Sequence, residues 1–231
     1  MTLLEGPALA AGAGVAAALL PGLSARHRAA LGIAAAGAAA CGGYDDVAGS
    51  WEHRGFRGHL GALARGQVTS GSIKMFGIGA TSLAAGGLVS DSVPDAVSSG
   101  ALIAASANLV NLFDLRPGRA IKVGVLAGTP GLAAGGSAGL LAAVPLGAGA
   151  ALLPEDLGER AMLGDAGANA LGALLGVAAA AELGRGTRLA LLGGLITATA
   201  ASEVVSFSRV IDAVGPLHWV DQLGRRPSPA R

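Results

Sequence analysis

Along the 231 residues, apolar stretches of membrane-helix length alternate with short polar breaks. A helix that crosses a bilayer needs about 20 mostly apolar residues. Eight stretches approach that length, at roughly 3–22, 26–44, 70–89, 95–113, 119–136, 137–154, 164–182 and 188–208. Their apolarity comes from Ala and Gly more than from Leu and Phe, so the insertion signal per residue is small. Pro130 falls inside the fifth stretch, and no charged residue separates the fifth from the sixth near Gly135-Gly136. The long polar segments are 45–69 and the Pro-containing tail 209–231. The pattern predicts an all-α, polytopic integral membrane helix bundle of about eight transmembrane helices. Residues 1–208 would form one transmembrane domain with loops at 45–69, 113–119 and 154–165, followed by a polar tail over 209–231.

Composition sharpens that picture. Apolar residues make up 52% and charged residues 13%, and the mean hydropathy is +0.59. An ordinary soluble domain carries about 25% charged residues, so this chain has too little polar surface to coat a soluble core. The 39 glycines and 3% aromatic residues point to helices packed through small side chains. Cys41 is the single cysteine, so no internal disulfide forms. A net charge of +1 gives no electrostatic case for nucleic acid. No basic run precedes the first apolar stretch, so that stretch is expected to be retained rather than cleaved.

The cations set an orientation. With the N-terminus cytoplasmic, the inner segments hold twelve of the sixteen Lys and Arg, and the outer loops hold only Arg26, Arg28, Arg185 and Arg188. This is the positive-inside bias. It places both termini in the cytoplasm, with Arg26 and Arg28 as its dissenters.

The acids then stand out. A carboxylate at the centre of a membrane helix costs about 2.5–3.5 kcal/mol on insertion scales. Asp45, Asp46, Asp114 and Asp165 all fall at the ends of apolar stretches, and on this topology all four share the cytoplasmic side. Asp45-Asp46 reads as a metal–phosphate site or general base, or as two solvated acids closing a span. In Asn108-x-x-Asn111-x-x-Asp114, spacings of three place two amides and a carboxylate within about 120° on one helix face. That face suits an oxyanion with a hard cation, or hydrogen bonds between helices. Asp165, in Gly-Asp-Ala-Gly-Ala-Asn, reads as a helix cap or as part of a loop that a polar ligand approaches closely. Arg65 and Lys74 could neutralise phosphate, or could belong to an ordinary positive-inside segment. Glu203 lies inside the eighth stretch, where an acid is a functional candidate by default. His218 stands alone in Pro-Leu-His-Trp.

Taken in order, Asp45-Asp46, Asn-Leu-Val-Asn-Leu-Phe-Asp at 108–114, Met-Leu-Gly-Asp-Ala-Gly-Ala-Asn at 162–169 and Pro216-Leu217-His218 resemble the motifs of the polyprenyl-phosphate N-acetylhexosamine-1-phosphate transferases, over about 180 residues. The resemblance implies transfer of a sugar-1-phosphate from a UDP-sugar, of the UDP-N-acetylhexosamine type, to a polyprenyl phosphate. The reaction would run at the cytoplasmic face of a bacterial plasma membrane, in cell-envelope glycan synthesis and with Mg²⁺. It implies Asp45, Asp46 and Asp114 as catalytic, with Asp114 and Asp46 toward the metal. It implies Asn108, Asn111, Asp165, His218, Lys74 and Arg116 as substrate-binding residues. A homodimer is compatible with it. The chain departs from the family at Pro117, where the family has a second acid, at Ala168, where a serine is usual, and in a histidine cluster reduced to His218. Two alternatives follow: a catalytically silent member that binds the lipid carrier or acts as a scaffold, and a small-molecule transporter.

Overall fold

The computed structural model describes residues 2–49 and 55–226. Among these the chain is all-helical, with eleven helices. In chain order they are α1 (Glu5–Leu19), α2 (Ala25–Ala48), α3 (Gly55–Ala64), α4 (Ser70–Leu88), α5 (Val93–Phe113), α6 (Arg119–Ala134), α7 (Gly136–Leu157), α8 (Gly164–Glu182), α9 (Arg185–Ser202), α10 (Phe207–Ala213) and α11 (Gly215–Gln222). Each of the eight apolar stretches contains a helix. The tail expected from 209 onward contains α11 and most of α10, and the polar segment 45–69 contains α3.

By length and composition, α5 and α7 are apolar enough to cross a membrane, and α9 with α10 would make a third crossing, bent by 94°. The others fall short for local reasons. Helices α1 and α6 have 15 and 16 residues, below the ~20 a bilayer core requires. In α2 the charges at both ends (Arg26, Arg28, Asp45 and Asp46), in α4 Lys74 with its serines and glycines, and in α8 Asp165 and Asn169 lower the hydropathy. The eighth stretch, expected as one span over 188–208, is broken: α9 ends at Ser202 and Glu203 is its C-cap, outside the helix.

Helix α8 is the axis of the bundle. Fourteen of its 19 residues are buried, as expected of a helix that is apolar all round. It packs against α1, α2, α4, α5, α6 and α7. Small residues permit this. A Cβ on Gly172 would run into Ser106 and Ala107 of α5, so the two helices meet backbone to backbone. In lipid, such close contact supplies association that the hydrophobic effect does not.

The bundle has two distinct ends. At one, the first turn of α2 meets the turn before α5 through Arg26 and Asp91, 3.4 Å apart, and Arg188 of α9 pairs with Asp95 of α5. Arg28 donates to the carbonyls of Ala17, Leu20 and Leu23, a cation placed at the negative end of α1. Arg185 lies 3.8 Å from Asp95. All four cations assigned to the outer loops, the dissenting Arg26 and Arg28 among them, therefore have structural partners at this end. At the other end, the segment between α7 and α8 is tied to the N-terminus: Thr2 N–H donates to the Arg160 carbonyl at 3.3 Å and Met162 N–H to the Thr2 carbonyl at 3.0 Å. The acids gather at this second end.

Candidate functional site

The site is assembled around the first turn of α8. That turn opens on Gly164, whose φ of +60° suits glycine, and Leu163 at the N-cap offers no side-chain acceptor. The first N–H groups of a helix lack partners inside the helix. Here other helices supply them. Asp46, in the last turn of α2, accepts from Asp165 N–H at 2.9 Å through Oδ1 and from Ala166 N–H at 3.0 Å through Oδ2. Asp114, the C-cap of α5, accepts from Gly164 N–H. Gly42 lets α2 come this close, since a Cβ there would strike the Asp165 carbonyl. The cap of α8 is thus not Asp165 but carboxylates from α2 and α5. Because those N–H groups are taken, the positive end of α8 has little left to offer a phosphate.

Lys74, in the second turn of α4, is the cation of the cluster. Its Nζ bridges Asp45, at 2.7 Å, and Asp165. All three side chains are largely buried. Four predicted acids and one predicted lysine, carried by α2, α4, α5 and α8, therefore converge on one end of the bundle. Asn108 and Asn111 do not join the ion pairs. They line a cavity of about 660 Å³ between α4, α5, α8 and α9, together with Lys74, Asn169, Thr199 and Glu203. Asn108 donates to Thr199 Oγ1 at 3.3 Å, and Asn169 donates to the Asp165 carbonyl at 2.6 Å. Arg65 is exposed beyond α3.

Asp114 is electrostatically the odd member. Its Oδ2 is buried without a hydrogen-bond partner. Burial, then the nearby charges of Asp156 and Asp165, push its carboxyl up to about 7, against the hydrogen bond from Gly164. A buried carboxylate with an open oxygen is half of a cation site. Asp46 spends one lone pair of each oxygen on capping and keeps the others. Among the described residues no three His, Cys, Asp or Glu side chains group as a ready metal-binding set. Mg²⁺ commonly takes one or two carboxylates plus phosphate oxygens from its substrate, and Asp114 with Asp46 fits such a substrate-completed shell.

His218 and Arg116 lie in a second cluster. Arg116 makes a two-pronged contact with Asp212, 2.8 Å on each side. His218 Nδ1 stands 3.5 Å from the same carboxylate. Buried Asp221 of α11 holds Arg119 Nε at 2.6 Å, and its carbonyl accepts from Lys122 at 2.7 Å. Despite its burial, Asp221 stays below the usual carboxylate range because Arg119 donates to it and Arg225 and Arg116 add positive charge.

Several of these residues escaped the sequence reading. Asp156 is buried at the end of α7, and its Oδ2 accepts from Gly118 N–H at 3.1 Å, anchoring the turn after Asp114. Its signal is the Pro-Glu-Asp that closes the sixth apolar stretch. Arg119 and Asp221 lie 102 positions apart, and no local pattern links them. Asn169 stands within the 162–169 motif without a role assigned to it.

Compared with family models, curated proteins and solved structures, the chain matches none.

Proposed function

We propose that the protein transfers a sugar-1-phosphate from a UDP-sugar to a polyprenyl phosphate at the cytoplasmic face of a bacterial plasma membrane, as the motif resemblance implies. The observation that carries this reading is the convergence of Asp45, Asp46, Asp114 and Asp165 on the first turn of α8 at a single end of the bundle, with Lys74 bridging Asp45 and Asp165. On this reading α1, α2 and α4–α9 all cross the membrane, and the acid-bearing end faces the cytoplasm with the termini.

In the reaction an oxygen of the prenyl phosphate attacks the sugar-linked phosphorus of the UDP-sugar. The bond from that phosphorus to the bridging diphosphate oxygen breaks, and UMP leaves. Two anions must meet, so positioning and charge stabilisation do most of the work. Lys74 is the cation positioned to offset phosphate charge, and Asp45 and Asp165 hold its ammonium in place. Asn108 and Asn111 present amides to the cavity, where they orient the nucleotide-sugar. Mg²⁺ bound by Asp114 and Asp46 would supply Lewis-acid polarisation of the diphosphate.

A second reading, a silent member that binds the lipid carrier, is favoured by Pro117 and by the engagement of Arg116 with Asp212. Purified protein with Mg²⁺, undecaprenyl phosphate and a panel of labelled UDP-sugars separates the two. Label entering the lipid fraction, and lost in Asp114→Ala and Lys74→Met, supports the transferase. No transfer from any sugar, with lipid binding retained, supports the silent binder.

A further inference from the structure

We propose that α10 and α11 form an interfacial anchor that lies along an anionic lipid surface. The inference rests on the reading that the bundle crosses a membrane, but it does not depend on catalysis. Helix α9 stops at Ser202 and the chain turns by 94° into α10. If α9 runs across the bilayer, α10 runs along its surface.

One side of this helical pair is fastened to the bundle. Phe207 stacks on Phe113, with ring centroids 4.9 Å apart. Ser208 accepts from Arg119 at 2.8 Å, and Asp212 and Asp221 bind Arg116 and Arg119. The other side carries apolar groups into the open. Trp219 is 65% exposed, Leu223 53% and Val204 82%, with Val210 and Val214 also exposed. Trp219 stands two positions from buried Asp221, about 200° around α11, so it faces away from the bundle, and Leu223 follows as the exposed C-cap. An apolar strip of this kind that includes a tryptophan is the makeup of a membrane-interface helix.

Charge names the surface. Arg209 and Arg226 are exposed beside the strip. Of the acids of the pair, Asp221 is buried on Arg119, and Asp212, although 39% exposed, is neutralised by the two-pronged contact from Arg116. The outward charge is therefore positive, which favours an anionic leaflet.

The test uses the full-length protein in bilayers of phosphatidylcholine and phosphatidylglycerol. Trp219 is read in Trp51→Phe, which leaves it as the only tryptophan. The difference between wild type and Trp219→Phe gives the same quantity should Trp51→Phe not fold. The expected result is a blue-shifted Trp219 emission that is largely quenched by lipid brominated near the glycerol backbone. The quenching should weaken in pure phosphatidylcholine or in Arg209→Gln/Arg226→Gln. Protein that stays in the membrane through an alkaline carbonate wash while Trp219 remains unquenched overturns the anchor and leaves the membrane bundle standing. A blue-shifted but unquenched Trp219 places a protein surface there instead, and also overturns it. Release by the carbonate wash removes both readings.

Discussion

Two charged clusters share one end of the bundle and are built on opposite principles. Around Asp221, cations outnumber acids and the central carboxylate is saturated, with Arg116, Arg119 and Arg225 all donating to it. Around Lys74, acids outnumber cations, and Asp114 keeps a buried oxygen with no partner. A saturated carboxylate fixes a structure, here the docking of α10 and α11, although Nε of Arg225 beside it is also buried without a partner. An unsaturated carboxylate is a destabilising group that folding alone does not require. On the proposed function, the contrast places architecture in the basic cluster and chemistry in the acidic one, although the family resemblance implies residues of both in the substrate site.

The largest effect should come from breaking the saturated cluster. Asp221→Ala strands Arg119, whose side chain is 3% exposed in the structure. Removing one partner of a buried ion pair costs about 3–5 kcal/mol. The expected outcome is undocking of residues 207–222, seen as lost hydrogen-exchange protection there, with the apolar helices unaffected. Uniform protection in the variant would show that the basic cluster is not what holds the pair.

Asp114→Asn should act with the opposite sign. The folded-state pKa is raised from 3.8 to about 7, so the folded protein holds a proton that the unfolded chain has already released. Stability from this group is complete below about pH 4 and is lost as pH rises through about 7. Asparagine removes that loss and still accepts from Gly164 N–H. The variant should therefore melt at or above wild type at pH 8, the gap closing toward pH 5.5, while any transferase activity disappears. A variant less stable at pH 8 would mean that Asp114 is already satisfied.

How far the sequence reveals this depends on the range of the interaction. The helical bundle is legible because each apolar run carries its own signal, and an Ala- and Gly-rich run has few alternatives to a helix. The meeting of the four acids follows from chain alternation, since each closes or opens a helix on the same side. Their roles as caps do not follow. That Asp46 caps α8 requires Gly42 to bring α2 into contact with Asp165, a tertiary fact with no local pattern. Helices α10 and α11 read as a polar tail because they are short and take their support from Arg119 and Arg116, about a hundred residues upstream. The break after Ser202 is equally hidden, because the valines at 204 and 205 continue the apolar run through it.

The smallest effect tests whether capping and chemistry can be separated within the acidic cluster. Asp46→Asn keeps one oxygen to accept from Asp165 N–H or Ala166 N–H and loses the charge and the second acceptor. Loss of a cap costs about 1 kcal/mol, and with one acceptor retained the change in melting temperature should be smaller still. Asp46→Ala should show the full cost. If Asp46 is only a cap, activity in the two variants should follow their stability, and Asn should be nearly wild type. If Asp46 also carries charge to a bound cation, Asn should abolish Mg²⁺-dependent turnover while its melting curve barely moves. The acidic cluster would then be chemical in a residue whose every visible contact is structural. That outcome would sharpen the contrast with Asp221, where charge and docking are lost together.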